Sequence, residues 1–404
     1  MSEKSAKPSY SMGWIMLLAL FTSLGPLSID MYLPALPQMA NDLGVNTQQV
    51  TNTLPAYFLG LAVGQLIYGP ISDRIGRKKP LYFGMSLFTL ASLFCAIAPD
   101  HWSLIAARIL QALGGCVGVV MARAAIRDRL DVQGSAQAFA SMMIVMGVAP
   151  ILAPTLGASI LHFLNWRSIF IVLFVVGLIC LLCVHFFFKE TLSKDKQLHL
   201  SVKQVVTLYG AILTDKSFRF PMMAGCFSGA ALFCYISSAS MVFMEHFHLS
   251  QQQFAYAFGM NAFGIMLFST LNKNLAKHWD VLKRLQIGGL IQLIGASIIV
   301  CVGLFQLDHL ILLMSGLFLT ISGIGFTGPN AMALAMSEQG HRAGTASAIM
   351  GSAQFACGLL GGVALNFLVW NSILNMGILM LAFIFIGAIA IFATTKRLSV
   401  KSTV

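Results

Sequence analysis

Apolar residues along this chain gather into runs of about twenty, separated by short polar breaks, which is the length a helix needs to cross roughly 30 Å of hydrocarbon. The runs predict twelve membrane helices over residues 14–37, 50–70, 80–98, 103–121, 136–160, 167–188, 218–243, 251–271, 284–304, 309–334, 343–368 and 373–394. Ten-residue stretches of alternating hydrophobicity are absent, which argues against a membrane β-barrel. The longest polar interruption, 189–217, divides the runs six and six. An all-α fold is therefore expected, with an N-terminal six-helix bundle over 1–188, a cytoplasmic linker over 189–217 and a C-terminal six-helix bundle over 218–404. The first run lacks a convincing small-residue cleavage site and many more spans follow it, so it reads as a retained helix rather than a secretory signal.

Composition agrees with the pattern: 57% of the 404 residues are hydrophobic and only 10% charged, more apolar surface than a soluble core of this length can hide. The net charge of +11 would suit a nucleic-acid partner only if it were clustered on one folded face. Instead, of 25 lysines and arginines, all but Arg108 and Arg167 fall in the tails, the linker and the loops on one side. The positive-inside rule then places both termini in the cytoplasm, and the basic loops face the anionic leaflet of the bilayer, with no nucleic acid involved. The eight cysteines fall within predicted spans and imply no disulfide framework. The lone "CLLC" at Cys180 to Cys183 and the "EHFH" at Glu245 to His248 have too few neighbouring ligands for a metal site, and none is expected.

Sorting the fourteen acids by predicted side leaves Asp30, in "GPLSIDMYLPALP", as the only one inside a span. An acid there costs roughly 2.5–3.5 kcal/mol on insertion scales, so it points to function. Two roles are open: a proton-carrying carboxylate, or a neutral hydrogen-bonding group or structural partner of Arg108, the only base well inside a span. Pro26 and Pro34 flank Asp30 by about one turn and free backbone groups beside it, which is tolerated at this depth only against protein or a cavity.

The loop "GQLIYGPISDRIGRKKP" contains Gly69, Asp73, Arg74, Gly76, Arg77 and Lys78 in the order G-x-x-x-D-R-x-G-R-K, which closely resembles the loop signature of the major facilitator superfamily. "RILQALGG" sets Arg108 and Gln111 in an arrangement similar to that superfamily's R-x-x-Q pattern. "APILAPTLGA", with Pro150 and Pro154, resembles its antiporter motif in helix five. The combination of "SIDMYLPALP", "RAAIRD", "NWRSIF", "GPNAMALAM" and "AGTASAIMGSAQ" resembles the Bcr/CflA, or bicyclomycin-resistance, branch of drug:proton antiporters across essentially the whole chain.

The resemblance implies a two-bundle fold in a bacterial inner membrane and export of small, largely apolar antibiotics, bicyclomycin-like or chloramphenicol-like, in exchange for protons. A monomer is expected, with no cofactor beyond the proton gradient. Two departures narrow the carry-over: Thr22 stands where some multidrug relatives have a second acid, and the second-half counterpart of the Gly69 loop, "LNKNLAKHWDVLKR", is degenerate.

Asp30 is expected to couple protons and to touch substrate, with Arg108 tuning it. Tyr32, Tyr57, Met121, Met146, Phe233, Tyr235, Asn261, Asn330 and Gln354 place aromatic, polarizable or amide groups in spans and are candidate drug contacts. Asp73, Arg74, Gly76, Arg77, Pro150 and Pro154 are candidate gating residues. Two competing readings are a proton-coupled metabolite importer of the same fold and a membrane-embedded transferase. The transferase lacks paired carboxylates, a phosphate loop in a βα context and a nucleophile, histidine and acid set.

Overall fold

The computed structural model describes residues 11–130, 132–193, 195, 197, 201–339, 342–368 and 371–402, and the regular structure among them is entirely helical. Among the described residues, eleven helical segments are long and apolar enough to cross a membrane, and the stretch Gly147–Phe163 is a shorter apolar helix.

The first of these segments, Met12–Leu43, is not the continuous helix that its apolar pattern predicts. Helix α1 (Met12–Asp30) stops at the acid, one 3₁₀ turn follows over Leu33–Ala35, and α2 (Leu36–Leu43) completes the crossing. Proline explains the break. Pro34 has no N–H for the Asp30 carbonyl and Pro37 none for that of Leu33, so the i→i−4 ladder cannot run through this stretch.

The chain continues through α3 (Thr47–Thr51), α4 (Thr53–Ile75), α5 (Lys78–Ala96), α6 (His101–Arg129), α7 (Val132–Phe163) and α8 (Trp166–Phe186). A short helix, α9 (Val202–Thr214), precedes α10 (Lys216–Ser240), which passes into a π-helical turn over Met241–His246. Then come α11 (Gln251–Leu275), α12 (Val281–Leu304), α13 (Leu310–Ser322), α14 (Ile324–Met336), α15 (Ala343–Ala364) and α16 (Ser372–Ser402). The expected run 309–334 is thus two helices, α13 and α14, meeting at Gly323.

Packing sorts these helices into two groups. In the first, α6 packs on α4, α5 and α1, and α5 packs on α8. In the second, α10 and α12 pack on α16, α12 on α13 and α10 on α14. The groups meet along two seams, α4 against α15 and α7 against α11. Close approach needs small residues where no hydrophobic force drives helices together. At Gly157 of α7 a β-carbon would sit 1.8 Å from the Met31 carbonyl oxygen, so only glycine lets α7 lie against the turn that follows Asp30.

Candidate functional site

Asp30 is 4% exposed and is the only buried carboxylate among the described residues. The broken backbone delivers it to the meeting of the two groups, since the 3₁₀ turn after it packs against α10 and α11 as well as α7. Tyr235 of α10 lies within electrostatic reach of Asp30. Its hydroxyl accepts a hydrogen bond from Asn261 Nδ2 of α11 at 3.0 Å, and its ring stacks on Phe258 at 5.3 Å. The Asn261 carbonyl oxygen is buried with no partner. A buried polar atom left unpaired costs about 1–3 kcal/mol, so this pair is poised for something to hydrogen-bond to it.

Arg108, wholly buried on α6, lies behind this site within the first group. Its guanidinium is held between the rings of Tyr32 and Tyr57, 4.4 and 4.2 Å from their centroids, an arrangement in which π faces offset part of the cost of a dry cation. It donates to Gln111 Oε1 at 2.5 Å and to the Ser28 carbonyl at 2.9 Å. The arginine therefore grips the backbone two residues before Asp30 rather than the carboxylate itself. Gln111 passes the chain on to Ser92 Oγ at 2.8 Å, and the Tyr32 hydroxyl shares a 2.9 Å hydrogen bond with Thr53.

The motif loop between α4 and α5 forms a dense charged cluster. Arg77 donates to Asp73 at 2.6 Å, to Ser72 Oγ at 2.7 Å and through two nitrogens to Asp128 at the end of α6, at 2.9 and 3.3 Å. Glu190, just past α8, accepts the backbone N–H groups of Arg77 and Lys78 at 2.9 and 3.0 Å and so caps the start of α5. Burial works against its charge, but those N–H groups and the ones of Leu192 and Thr191 outweigh it and hold its carboxyl below the ordinary range. Gly76 has φ of 90°, and the Glu190 carboxylate occupies the place where a β-carbon would project, so glycine is required twice over. Arg74 is exposed and outside the cluster.

The α4–α15 seam is bonded along its length. Asn366 donates to Asn52 at 2.7 Å at one end, Ser352 donates to the Ala62 carbonyl at 2.8 Å, and Arg123 of α6 reaches Ser347 at 3.5 Å at the other end. Phe233 joins Phe58 and Phe355 in a three-ring cluster across α10, α4 and α15, with centroids 4.6 and 5.5 Å from Phe233. Half-buried Gln354 sits beside Gly229 of α10, and Met121 is fully buried. Pro150 and Pro154 lie within α7, and the side chain of Met146 is outside the described residues.

Asn330 is placed away from Asp30. It donates to Asn272 Oδ1 at 2.9 Å and to the Phe326 carbonyl at 2.8 Å, while Arg284 donates to the same Asn272 oxygen at 2.9 Å. Asn272 in turn donates to the Gly325 carbonyl, the one that Pro329 leaves without its helical donor. The degenerate second-half loop thus keeps the arginine and replaces the carboxylates by amides.

Three residues outside the sequence-based candidates matter here: Asp128, Glu190 and Tyr209. Tyr209 of α9 donates to the Leu66 carbonyl at 2.9 Å, the carbonyl that Pro70 deprives of its i→i−4 donor. Asp128 and Glu190 are among the acids that the sequence sorts to the inner side of the membrane. Tyr209 had a usable signal, since Val205, Leu208 and Ile212 share its helical stripe within the polar interruption. Among the described residues no group of three or more histidines, cysteines or acids is placed to hold a metal ion.

A family model described as Major Facilitator Superfamily matches residues 18–362. The chain is 34% identical over 386 residues to an uncharacterized MFS-type transporter, YdgK, of Bacillus subtilis, covering 94% of this chain and 95% of that one. It is 29% identical to a bicyclomycin resistance protein homolog of Haemophilus influenzae, over 95% and 96% of the two chains. It is 28% identical to the multidrug resistance protein MdtL of Shigella dysenteriae, over 83% of each. Among solved structures, the xylose transporter XylE from E. coli, in a partially occluded inward-open conformation, superposes with a TM-score of 0.71 at 15% identity, covering 95% of this chain and 98% of that one.

Proposed function

The chain belongs to the major facilitator superfamily, within its bicyclomycin-resistance-like branch, and from that premise we propose that it is a proton-coupled exporter of small, largely apolar antibiotics. In this reading α7 supplies the twelfth span, both termini face the cytoplasm of a bacterial inner membrane, and two six-helix bundles joined by the 189–217 linker work as a monomer. The bundles rock about a site near mid-membrane, where Asp30 exchanges a proton for drug.

The observation that carries the reading is the position of Asp30: a buried carboxylate on a broken helix, within reach of Tyr235 of the opposite group, whose hydroxyl Asn261 hydrogen-bonds. One such acid suits one proton per cycle, and each charge moved is driven by about 2.3 kcal/mol per 100 mV. Arg108 tunes the acid through the Ser28 carbonyl, by fixing where the helix ends. Tyr32, Tyr57, Phe233 and Gln354 line the drug's route, and the Arg77 cluster holds the cytoplasmic edge as the bundles move. The names of the relatives at 28–29% identity favour export over metabolite import.

The test is a drug-susceptibility panel in a pump-deficient host, led by bicyclomycin-like and chloramphenicol-like compounds, comparing the intact protein with Asp30→Asn. Resistance that depends on Asp30 is expected. Equal resistance from both proteins, or faster drug uptake with the intact one, would contradict export by this acid.

A further inference from the structure

Far from Asp30, the cytoplasmic end of the first group has a lateral crevice of about 930 Å³ between the start of α1, the end of α6 and the end of α8. Its polar end is Arg129, whose guanidinium lies 5.4 Å from the centre of the Trp14 ring. The Trp14 indole nitrogen is buried and has no hydrogen-bond acceptor. Apart from Ser11 the rest of the lining is apolar: Met16, Leu20, Leu130 and Phe187 are among its walls, and Met16 and Phe187 are 64% and 69% exposed.

We propose that this crevice binds one anionic phospholipid, its phosphate taking hydrogen bonds from Arg129 and the Trp14 N–H and an acyl chain lying along Met16, Leu20 and Phe187. Three independent features point to that occupant. A buried indole N–H needs an acceptor, because leaving it unpaired costs free energy that a phosphate oxygen removes. A guanidinium beside it supplies charge complementarity, and basic pockets between membrane helices at the cytoplasmic face are suited to lipid headgroups. The apolar remainder suits the start of an acyl chain, which a soluble phosphate or a peptide carboxylate does not offer. The bound lipid would brace the cytoplasmic half of α1, the helix that ends in Asp30. The inference uses the proposed orientation to name the leaflet but not the proposed transport activity, so a lipid-binding readout tests it separately.

The experiment is native mass spectrometry of the full chain released from detergent after incubation with equimolar phosphatidylglycerol and phosphatidylcholine. One phosphatidylglycerol should be retained in preference to phosphatidylcholine, by about fivefold for a single basic contact. Arg129→Gln should bring the ratio close to one, whereas Lys277→Gln, which removes an exposed charge elsewhere on the same side, should leave it unchanged. Trp14→Phe keeps an aromatic ring and removes only the N–H, and should lower the retention of both lipids, since each offers it a phosphate oxygen, while the protein stays monodisperse and the ratio is kept. Equal retention of the two lipids, or equal loss with Arg129→Gln and Lys277→Gln, overturns the proposal. So does a preference that emerges only after residues 2–10 are deleted, since the chain's own N-terminal segment would then be the occupant.

Discussion

The two helix groups solve the same packing problem with different chemistry. At the heart of the first, Arg108 binds Gln111, Gln111 binds Ser92, and the guanidinium sits between two tyrosine rings. In the second, Gln292 takes the place of a charged centre: it accepts from Ser228 and donates to the Thr320 carbonyl at 3.1 Å, while the Ser228 and Thr327 hydroxyl oxygens lie 2.7 Å apart. The edges repeat the contrast, with Arg77 among Asp73, Asp128 and Glu190 in one group and Arg284 with Asn272 and Asn330 in the other. Both groups leave a few buried polar atoms unpaired, among them the Tyr57 hydroxyl and Arg108 Nε in the first and Asn261 Oδ1 and the Ser322 hydroxyl in the second, but the first concentrates the ionisable groups. The group of the second half that lies within reach of Asp30 is the neutral Tyr235 hydroxyl, held by the Asn261 amide. Neutral neighbours suit the proton-carrying role proposed for Asp30, since they carry no charge that would lock it in one state.

The contrast between the two centres should appear first in stability. Arg108→Leu leaves the Gln111 oxygen with only the weak Cys95 thiol as donor and removes the Ser28 contact, at about 1–3 kcal/mol each, and leaves two tyrosine rings without their cation. Gln292→Leu removes only neutral hydrogen bonds and should cost about 1–3 kcal/mol in all. Thermal unfolding of the purified variants in detergent checks the order; equal losses would mean that the charge of the first centre adds nothing.

Gly157→Ala probes the seam beside the acid. Its new methyl meets the Met31 carbonyl, so α7 must shift, at about 1–3 kcal/mol as for other overpacked sites. Transport should fall by more than stability does, because the displaced turn is the one that positions Asp30.

Acid should separate the two edges. Glu190 is held below its ordinary value, so its contribution is fully present above the unfolded carboxyl value of about 4.3 and is lost as pH falls through the lower folded value. The melting-temperature gap between intact protein and Glu190→Gln should hold steady at pH 6 and close toward pH 3. The amide-built edge around Asn272 has no carboxylate in its hydrogen-bond set, and Asn272→Ala should show a gap that does not depend on pH over that range.

The smallest effect belongs to Tyr209. Tyr209→Phe removes one hydrogen bond, worth about 0.5–1.5 kcal/mol, and should raise labelling of a cysteine at Ser347 by a cytoplasmic thiol reagent. In a Pro70→Ala background the Leu66 carbonyl regains a helical donor, so the same change should then matter little. Additive effects would show that the two residues act separately.

Much of this architecture was legible in the pattern of apolar runs, because bilayer thickness dictates their length. The acid stood out for the same reason, since every other carboxylate lay near an aqueous edge. What pattern alone missed was where backbone groups find partners. The break after Asp30 follows from Pro34 and Pro37, yet the apolar run continues through both. Asn330 is a candidate drug contact because it places an amide in a span, and the structure ties that amide to Asn272 and the Phe326 carbonyl. Glu190 and Tyr209 sit in a segment that read as linker, and only the three-dimensional path brings them to the Arg77 loop and to α4.

The decisive measurement is drug accumulation in proteoliposomes driven by an imposed pH gradient, with intact protein and Asp30→Asn side by side. The account predicts that the gradient drives accumulation only when Asp30 is present, while the variant remains folded and equilibrates drug without concentrating it. Full gradient-driven accumulation by Asp30→Asn would contradict it.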